Sequence, residues 1–306
     1  TYQTTLTYDS IYWRVSVESG GMWSVPSTVD AFVILDTAAP DNDMTLTATG
    51  IDTGTIELSW NPAVVDSADA DSVGIWYKST DYPDSAYDVT AALAGMYPLS
   101  DSLVSVDGFS PNTSLYFGLM VRDTRGNWSD TTVAASDTAT TAPGPTDVYY
   151  SVGSSNLDLK NGTPTIDISS GTAVLSVSQP DSIGVGDRLA YNGADTCYIA
   201  ARTGATQYTV TTPTGAVPGN VTGVVVNSIR RAYNSLNEAE TGASDMSHLN
   251  TTDLVAANVR LHLACYHDGS ADNAAVSIDT WITGAENYVH IFTPTHSSEV
   301  GTSQRH

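Results

Sequence analysis

Positive charge is the scarcest property of this chain. Its 306 residues carry 11 Lys plus Arg against 34 Asp plus Glu, a formal net charge of −23. Lys78 and Lys160 are the only lysines. Surfaces that bind nucleic acid or anionic lipid need clustered Lys and Arg, so neither partner is expected. Cysteine is almost missing as well, with only Cys197 and Cys265. Neither belongs to a recognisable disulfide framework, and the alternation of 261–265 turns Cys265 toward a core, so buried free thiols are expected. No stretch approaches the ~20 apolar residues of a membrane helix, which argues against direct membrane insertion. A charged-then-apolar leader is missing at Thr1, so a secretory leader is expected to have been removed or to lie outside this sequence. Gly-x-Ser-x-Gly and Arg-Gly-Asp are also absent, so neither a hydrolase nucleophile elbow nor integrin-type recognition is implied.

What is present is a repeat. Tyr12-Trp13-Arg14-Val15-Ser16-Val17, Gly21-Met22-Trp23-Ser24 and Pro40 return as Tyr116-Phe117-Gly118-Leu119-Met120-Val121, Gly126-Asn127-Trp128-Ser129 and Pro143. The offsets are 121 − 17 = 104, 128 − 23 = 105 and 143 − 40 = 103. A period of that size built on alternating strands is the length of one immunoglobulin-like sandwich. Residues 1–37 then hold the C-terminal strands of an incomplete domain, 11–17 and 29–35, joined at Ser19-Gly20-Gly21. Such a hairpin cannot bury its own face, so Trp13 and Trp23 need the rest of a sandwich. Either the chain is a fragment, the favoured reading, or another subunit completes the half-domain by strand addition.

Residues 38–143 read as the complete copy, with strands at 45–48, 55–60, 73–78, 103–106, 115–121 and 131–135. Leu58-Ser59-Trp60, Ile75-Trp76-Tyr77, Phe109-Ser110-Pro111-Asn112-Thr113 and the run Leu115-Phe117-Leu119-Val121 resemble a fibronectin type III domain. The continuation Asp123 to Ser129 is similar to bacterial surface versions of that module. Leu115 stands where the family has its corner tyrosine, and Tyr116 follows one residue later.

Past the stiff Thr140–Thr146 linker, residues 144–226 read as a small β-rich domain with short strands at 165–168, 172–177, 188–191, 197–201 and 208–211. A helix is expected over 228–241, with Glu238 and Glu240 opposing its dipole near the C-terminal end. Strand runs at 259–265, 275–281 and 288–292 follow. Together residues 227–306 resemble the entrance to a right-handed parallel β-helix of the pectate-lyase type, incomplete in rungs. The expected fold class is therefore all-β: tandem fibronectin III-like sandwiches, a small β domain, and the beginning of a β-helix-like module with one short helix.

Candidate chemistry is sparse. Asp66, Asp69 and Asp71 on one loop could chelate calcium, a hard cation that takes oxygen ligands, and Asp41-Asn42-Asp43 is a second such cluster. No other cofactor is implied. His262, Cys265 and His267 invite a metal reading, which alternation opposes by turning His262 away from the other two. Asp245 and His248 have a spacing that would meet on a helix, beyond the point where the helical pattern ends. No catalytic residue is assigned, and the chain is not expected to be an enzyme. Sequons at Asn112, Asn127, Asn161, Asn220 and Asn250 are candidate glycosylation sites. Tyr149-Tyr150, Trp76-Tyr77 and Tyr82, where exposed, would suit stacking on sugar rings.

The expected role is a structural or adhesive component of a large extracellular or cell-surface multi-domain protein, filament-forming where its partners are other copies of itself. Neighbouring surface proteins and polysaccharide are the other expected partners. The alternative is a set of non-catalytic modules from a polysaccharide-degrading β-helix enzyme whose active site lies beyond this chain.

Overall fold

The computed structural model describes residues 10–28, 30–33, 37–61, 70–130, 132, 135–273 and 275–304. The chain forms two compact units, residues 1–143 and 144–306. Both are all-β, with two short helices in the second. Among the described residues no helix is long and apolar enough to cross a membrane.

The first unit begins with one long hairpin. Strand β1 (Ser10–Trp13) is followed by β2 (Glu18–Ser19), β3 (Met22–Trp23) and β4 (Asp30–Val33). β1 pairs antiparallel with β4, from Ser10 opposite Val33 to Trp13 opposite Asp30. Between the two short ladders, Ser27 N–H donates to Val15 O and Ser24 N–H to Val17 O, each at 2.8 Å. Gly20 and Gly21 close the turn at φ 62° and 81°, a conformation glycine adopts without strain. Around its turn the described apolar side chains stay uncovered: Trp23 is 67% exposed and Val25 88%.

A two-sheet sandwich follows. Strands β5 (Leu46–Gly50), β6 (Ile56–Trp60) and β9 (Leu103–Val106) make one sheet. β7 (Ala70–Lys78), β8 (Ala92–Pro98), β10 (Ser114–Asp123) and β11 (Ser136–Thr140) make the other, in the order β11-β10-β7-β8. All pairings are antiparallel. Ile56, Leu58 and Trp60 alternate inward from one sheet and meet Val73, Ile75, Phe117, Leu119 and Val121 from the other. Leu115, in place of the corner tyrosine, is itself core, while Tyr116 faces the opposite way and packs edge-on against Tyr82 at 5.3 Å.

Two expectations need correction here. The final strand begins at Ser136, not within 131–135, where Ala135 is a buried turn residue and 131, 133 and 134 lie outside the described residues. β8 was not anticipated, because its small residues carry no clear alternation and it occupies a sheet edge.

The second unit interleaves a barrel with stacked rungs. β12 (Thr146–Val152) comes first. β13 (Thr165–Ser169), β14 (Thr172–Leu175), β15 (Arg188–Tyr191), β16 (Asp195–Arg202), β17 (Gln207–Thr211) and β18 (Val221–Arg230) then close a barrel in the order β13-β14-β17-β16-β15-β18. Its interior is filled by Ile166, Leu175, Leu189, Ile199, Tyr208 and Ile229. Helices α1 (Leu236–Gly242) and α2 (Leu254–Ala257) lead to β19 (Val259–Cys265) and β20 (Val289–Phe292). The sheet β12-β19-β20 is parallel throughout, so chain segments on either side of the barrel stack as successive rungs. A boundary between residues 226 and 227 falls inside β18.

The expected helix over 228–241 is shortened to Leu236–Gly242. Ile229 belongs to a strand and fills the barrel core, so its helical spacing to Tyr233 is coincidental. Glu238 therefore lies in the first turn, where its charge favours the dipole. Ser235 Oγ accepts from Glu238 N–H at 3.1 Å, and the Glu238 carboxylate accepts from Asn234 N–H at 2.8 Å. The run 275–281 is not a regular strand, and most of its residues are exposed.

One buried ion pair joins barrel to rungs. Arg231 leaves β18 and places Nη1 2.8 and 2.9 Å from the two carboxylate oxygens of Asp187, in the loop before β15. Its Nη2 and Nε reach Asp268, beyond β19, at 2.8 and 3.0 Å. The guanidinium lies 3.6 Å from the Tyr266 ring centroid. Side-chain exposures are 1% for Arg231 and 0% for Asp187. Burial opposes the Arg231 charge, but the two carboxylates outweigh it and hold the group protonated. The same loop passes flat against the first rung: Ser151 N–H donates to Gly186 O at 2.9 Å. Gly186 has φ 83°, and a Cβ there would stand 2.3 Å from Ser151 N, so the approach requires glycine.

Arg231→Met is expected to strand the Asp187 charge and cost about 3–5 kcal/mol in chemical denaturation of the full chain. The combined replacement Arg231→Met with Asp187→Leu is expected to recover much of that loss. An unchanged unfolding midpoint for the single variant would contradict this reading.

Candidate functional site

The rung sheet has two faces, and strand alternation sorts its residues between them. Val148, Tyr150, Leu261 and Leu263 point inward to a core shared with Leu254 and Tyr233. Tyr198, on the outer wall of the barrel, packs into the same core, edge-on to Tyr150 at 5.0 Å.

The other face carries the chemistry. Register places Asp147 beside Arg260 and Tyr149 beside His262, and stacks His262 on His290 and Ala264 on Phe292. His262 Nε2 is 2.8 Å from Asp147 Oδ1, and its Nδ1 is 3.1 Å from His290 Nδ1. These partners assign the tautomer: Nε2–H donates to Asp147, leaving Nδ1 to accept from the Nδ1–H of His290. Arg260 Nη1 lies 3.1 Å from the same Asp147 oxygen, and its guanidinium 5.4 Å from the Tyr288 ring centroid. Tyr149 stacks on His262 at 4.5 Å and 17°, while His290 stacks on Phe292 at 4.9 Å and 6°. Tyr288 and His290 remain open to solvent. The result is a strip of flat rings with a carboxylate, a guanidinium and an imidazole edge among them. Such a strip offers apolar faces and hydrogen-bonding edges to a polar, flat ligand.

Burial lowers the pKa of His262, against the opposing pull of Asp147. Burial likewise raises the Tyr149 phenol, with the Asp147 charge adding to it.

The residues singled out in the sequence have other fates. Asp66 and Asp69 lie outside the described residues, and Asp71 is exposed near the start of β7. The Asn42 amide donates to Leu119 O and Asp130 O at 2.8 and 3.0 Å, so it clamps the sandwich while Asp41 and Asp43 face outward. Among the described residues no group of three or more His, Cys, Asp or Glu is arranged to hold a metal ion. Both thiols are free, and burial pushes Cys197 up to about 12. His262 and Cys265 do turn to opposite faces, and His267 is exposed. Asp245 and His248 meet at 2.7 Å in a turn after α1, and the ring packs on Tyr150 and Tyr233.

Four sequon asparagines, Asn112, Asn161, Asn220 and Asn250, are exposed. Asn127 is committed instead: its Nδ2 donates to Asp123 at 2.7 Å, and Ser129 is buried. Tyr150 and Trp76 are buried, leaving Tyr149 as the one expected sugar-stacking residue within the strip. The members Asp147, Tyr288, His290 and Phe292 escaped sequence reasoning. Their signal was the alternation of Tyr288, His290 and Phe292, which could be aligned with Asp147 and Tyr149 only once the inserted barrel was known.

No known protein family matches the chain, and no curated protein matches it. Solved structures are similar to parts of the chain at low identity. The chicken CNTN1 FN1-FN3 domains are 13% identical over 44% of this chain, with a TM-score of 0.29, and the match spans 41% of that chain. The fn3 domain of human contactin 1 is 13% identical over 37% of this chain and 88% of its own, with a TM-score of 0.28. Pectate lyase Pel3 from Pectobacterium carotovorum is 11% identical over 36% of this chain and 35% of its own, with a TM-score of 0.25.

The His262 pKa lies below the 6.5 of a free imidazole, so the folded state binds fewer protons than the unfolded one as pH falls. Its contribution to stability is complete above that pH and is lost as pH drops through the lowered folded value. His262→Gln is therefore expected to flatten the decline of Tm below pH 6.5 measured by scanning calorimetry. A variant whose decline parallels the parent's would contradict this.

Proposed function

We propose that this chain is part of a structural or adhesive component of an extracellular or cell-surface multi-domain protein, and that the outer rung face engages polysaccharide. The observation that carries the reading is the ring strip of Tyr149, His262, His290 and Phe292 beside the exposed Tyr288. Aromatic faces next to hydrogen-bonding edges suit sugar rings, which present apolar C–H faces and hydroxyl rims. The net charge of −23 is compatible with exposure to salt or calcium-containing surroundings. Exposed asparagines in four sequons are compatible with an exported protein.

A second reading is that these are non-catalytic modules of a polysaccharide-degrading β-helix protein. Ile291 favours it: it is aligned with buried Leu263 yet 42% exposed, facing where a further rung would cover it.

Tyr288→Ala and His290→Ala are each expected to weaken glycan-array binding by about tenfold, the size of one lost aromatic contact, without lowering Tm. Absence of binding to any glycan by the parent chain would remove this proposal.

A further inference from the structure

A second cleft in the same unit gathers positive charge that the rest of the chain lacks. The sequence has 11 − 2 = 9 arginines, and three of them, Arg188, Arg230 and Arg231, line a single cavity of about 410 Å3 with Asn156, Asn234 and Glu238. Arg231 is neutralised by Asp187 and Asp268. Among the described residues neither Arg188 nor Arg230 pairs with a carboxylate, and the Arg188 side chain hydrogen-bonds the Tyr198 phenol.

These two arginines are direct partners across the β15–β18 ladder. Their neighbours Leu189 and Ile229 fill the barrel, so both arginines belong to its outer wall. Directly opposed residues on antiparallel strands hold their Cβ atoms about 4.5–5.5 Å apart, and like charges there are destabilising. The carboxylate that lines the cavity, Glu238, accepts from Asn234 N–H, and among the described residues neither arginine forms an ion pair with it. Arg230 Nη1 donates to the Asn156 carbonyl, which leaves most of its five N–H donors uncommitted.

We infer that this cleft binds a tetrahedral oxyanion, a phosphate or sulfate ester carried on a small polar group. One guanidinium fork would consume both oxygens of a carboxylate, whereas a tetrahedral ester has three outer oxygens for two forks to share. The Asn156, Asn234 and Glu238 side chains supply donors and acceptors for hydroxyls on the carrier. A long polyanion is disfavoured by the surrounding negative field. The cleft shares no residue with the ring strip and stands whether or not that strip binds sugar.

Isothermal titration of the full chain with glucose 6-phosphate, glucose 6-sulfate, glucuronate and glucose tests the inference. One or both esters are expected to bind, and the preferred ester identifies the oxyanion. Arg188→Gln and Arg230→Gln are each expected to weaken that binding by about tenfold or more, as loss of charge-assisted hydrogen bonds requires. With no ligand present, both variants are expected to melt at or above the parent temperature, since the like-charge opposition is removed. The inference is overturned if neither ester binds at millimolar concentration, or if glucose or glucuronate binds as tightly. It is equally overturned if the variants bind like the parent, or melt well below it.

Discussion

The second unit depends on Arg231. This residue directly follows the last barrel strand, and it is held from both sides by Asp187 and Asp268 with Tyr266 beneath it. A barrel inserted between two rungs interrupts a parallel stack, and something must fix the angle at which the chain leaves and returns. A buried charge can do this because only a narrow set of positions satisfies it, while misplacement leaves an unpaired ion in the interior. Its net contribution to stability is modest beside that constraint. The glycine at 186 serves the same end by letting the Asp187 loop lie against Ser151.

The sandwich was legible from residues alone because its signal is local. Ile56, Leu58 and Trp60 alternate, Leu115 through Val121 alternate, and the repeat supplied the domain length. The rung unit was only partly legible. Sequence neighbours there are not spatial neighbours: β12 pairs with β19 across more than a hundred intervening residues, so no window of sequence contains both. Ile229 and Tyr233 imitated a helical face because a strand end and a capping loop happened to place apolar residues four apart. The strip on the outer face was hidden for the same reason. Its members are ordinary strand residues until the register stacks them.

Charge organises the molecule on a larger scale. With so few cations, several are committed to fixed carboxylate or carbonyl partners. Arg260 tethers Asp147 in the ring strip, Arg202 caps barrel carbonyls from Pro180 and Ile183, and Arg231 joins the barrel to the rungs. Against that economy the two arginines facing each other across β15 and β18 stand out, since among the described residues neither forms an ion pair with a carboxylate. The acidic remainder leaves the chain with a formal net charge of −23.

Native-state amide exchange tests most directly whether barrel and rungs form one cooperative body. The Ile199 and Val210 amides report on the barrel, and Ser151 and Leu261 on the rungs. With Arg231 coupling them, both sets are expected to exchange with the same opening free energy and to lose protection together in rising denaturant. Barrel amides that open at a distinctly lower free energy, while the rung amides stay protected, would contradict that account.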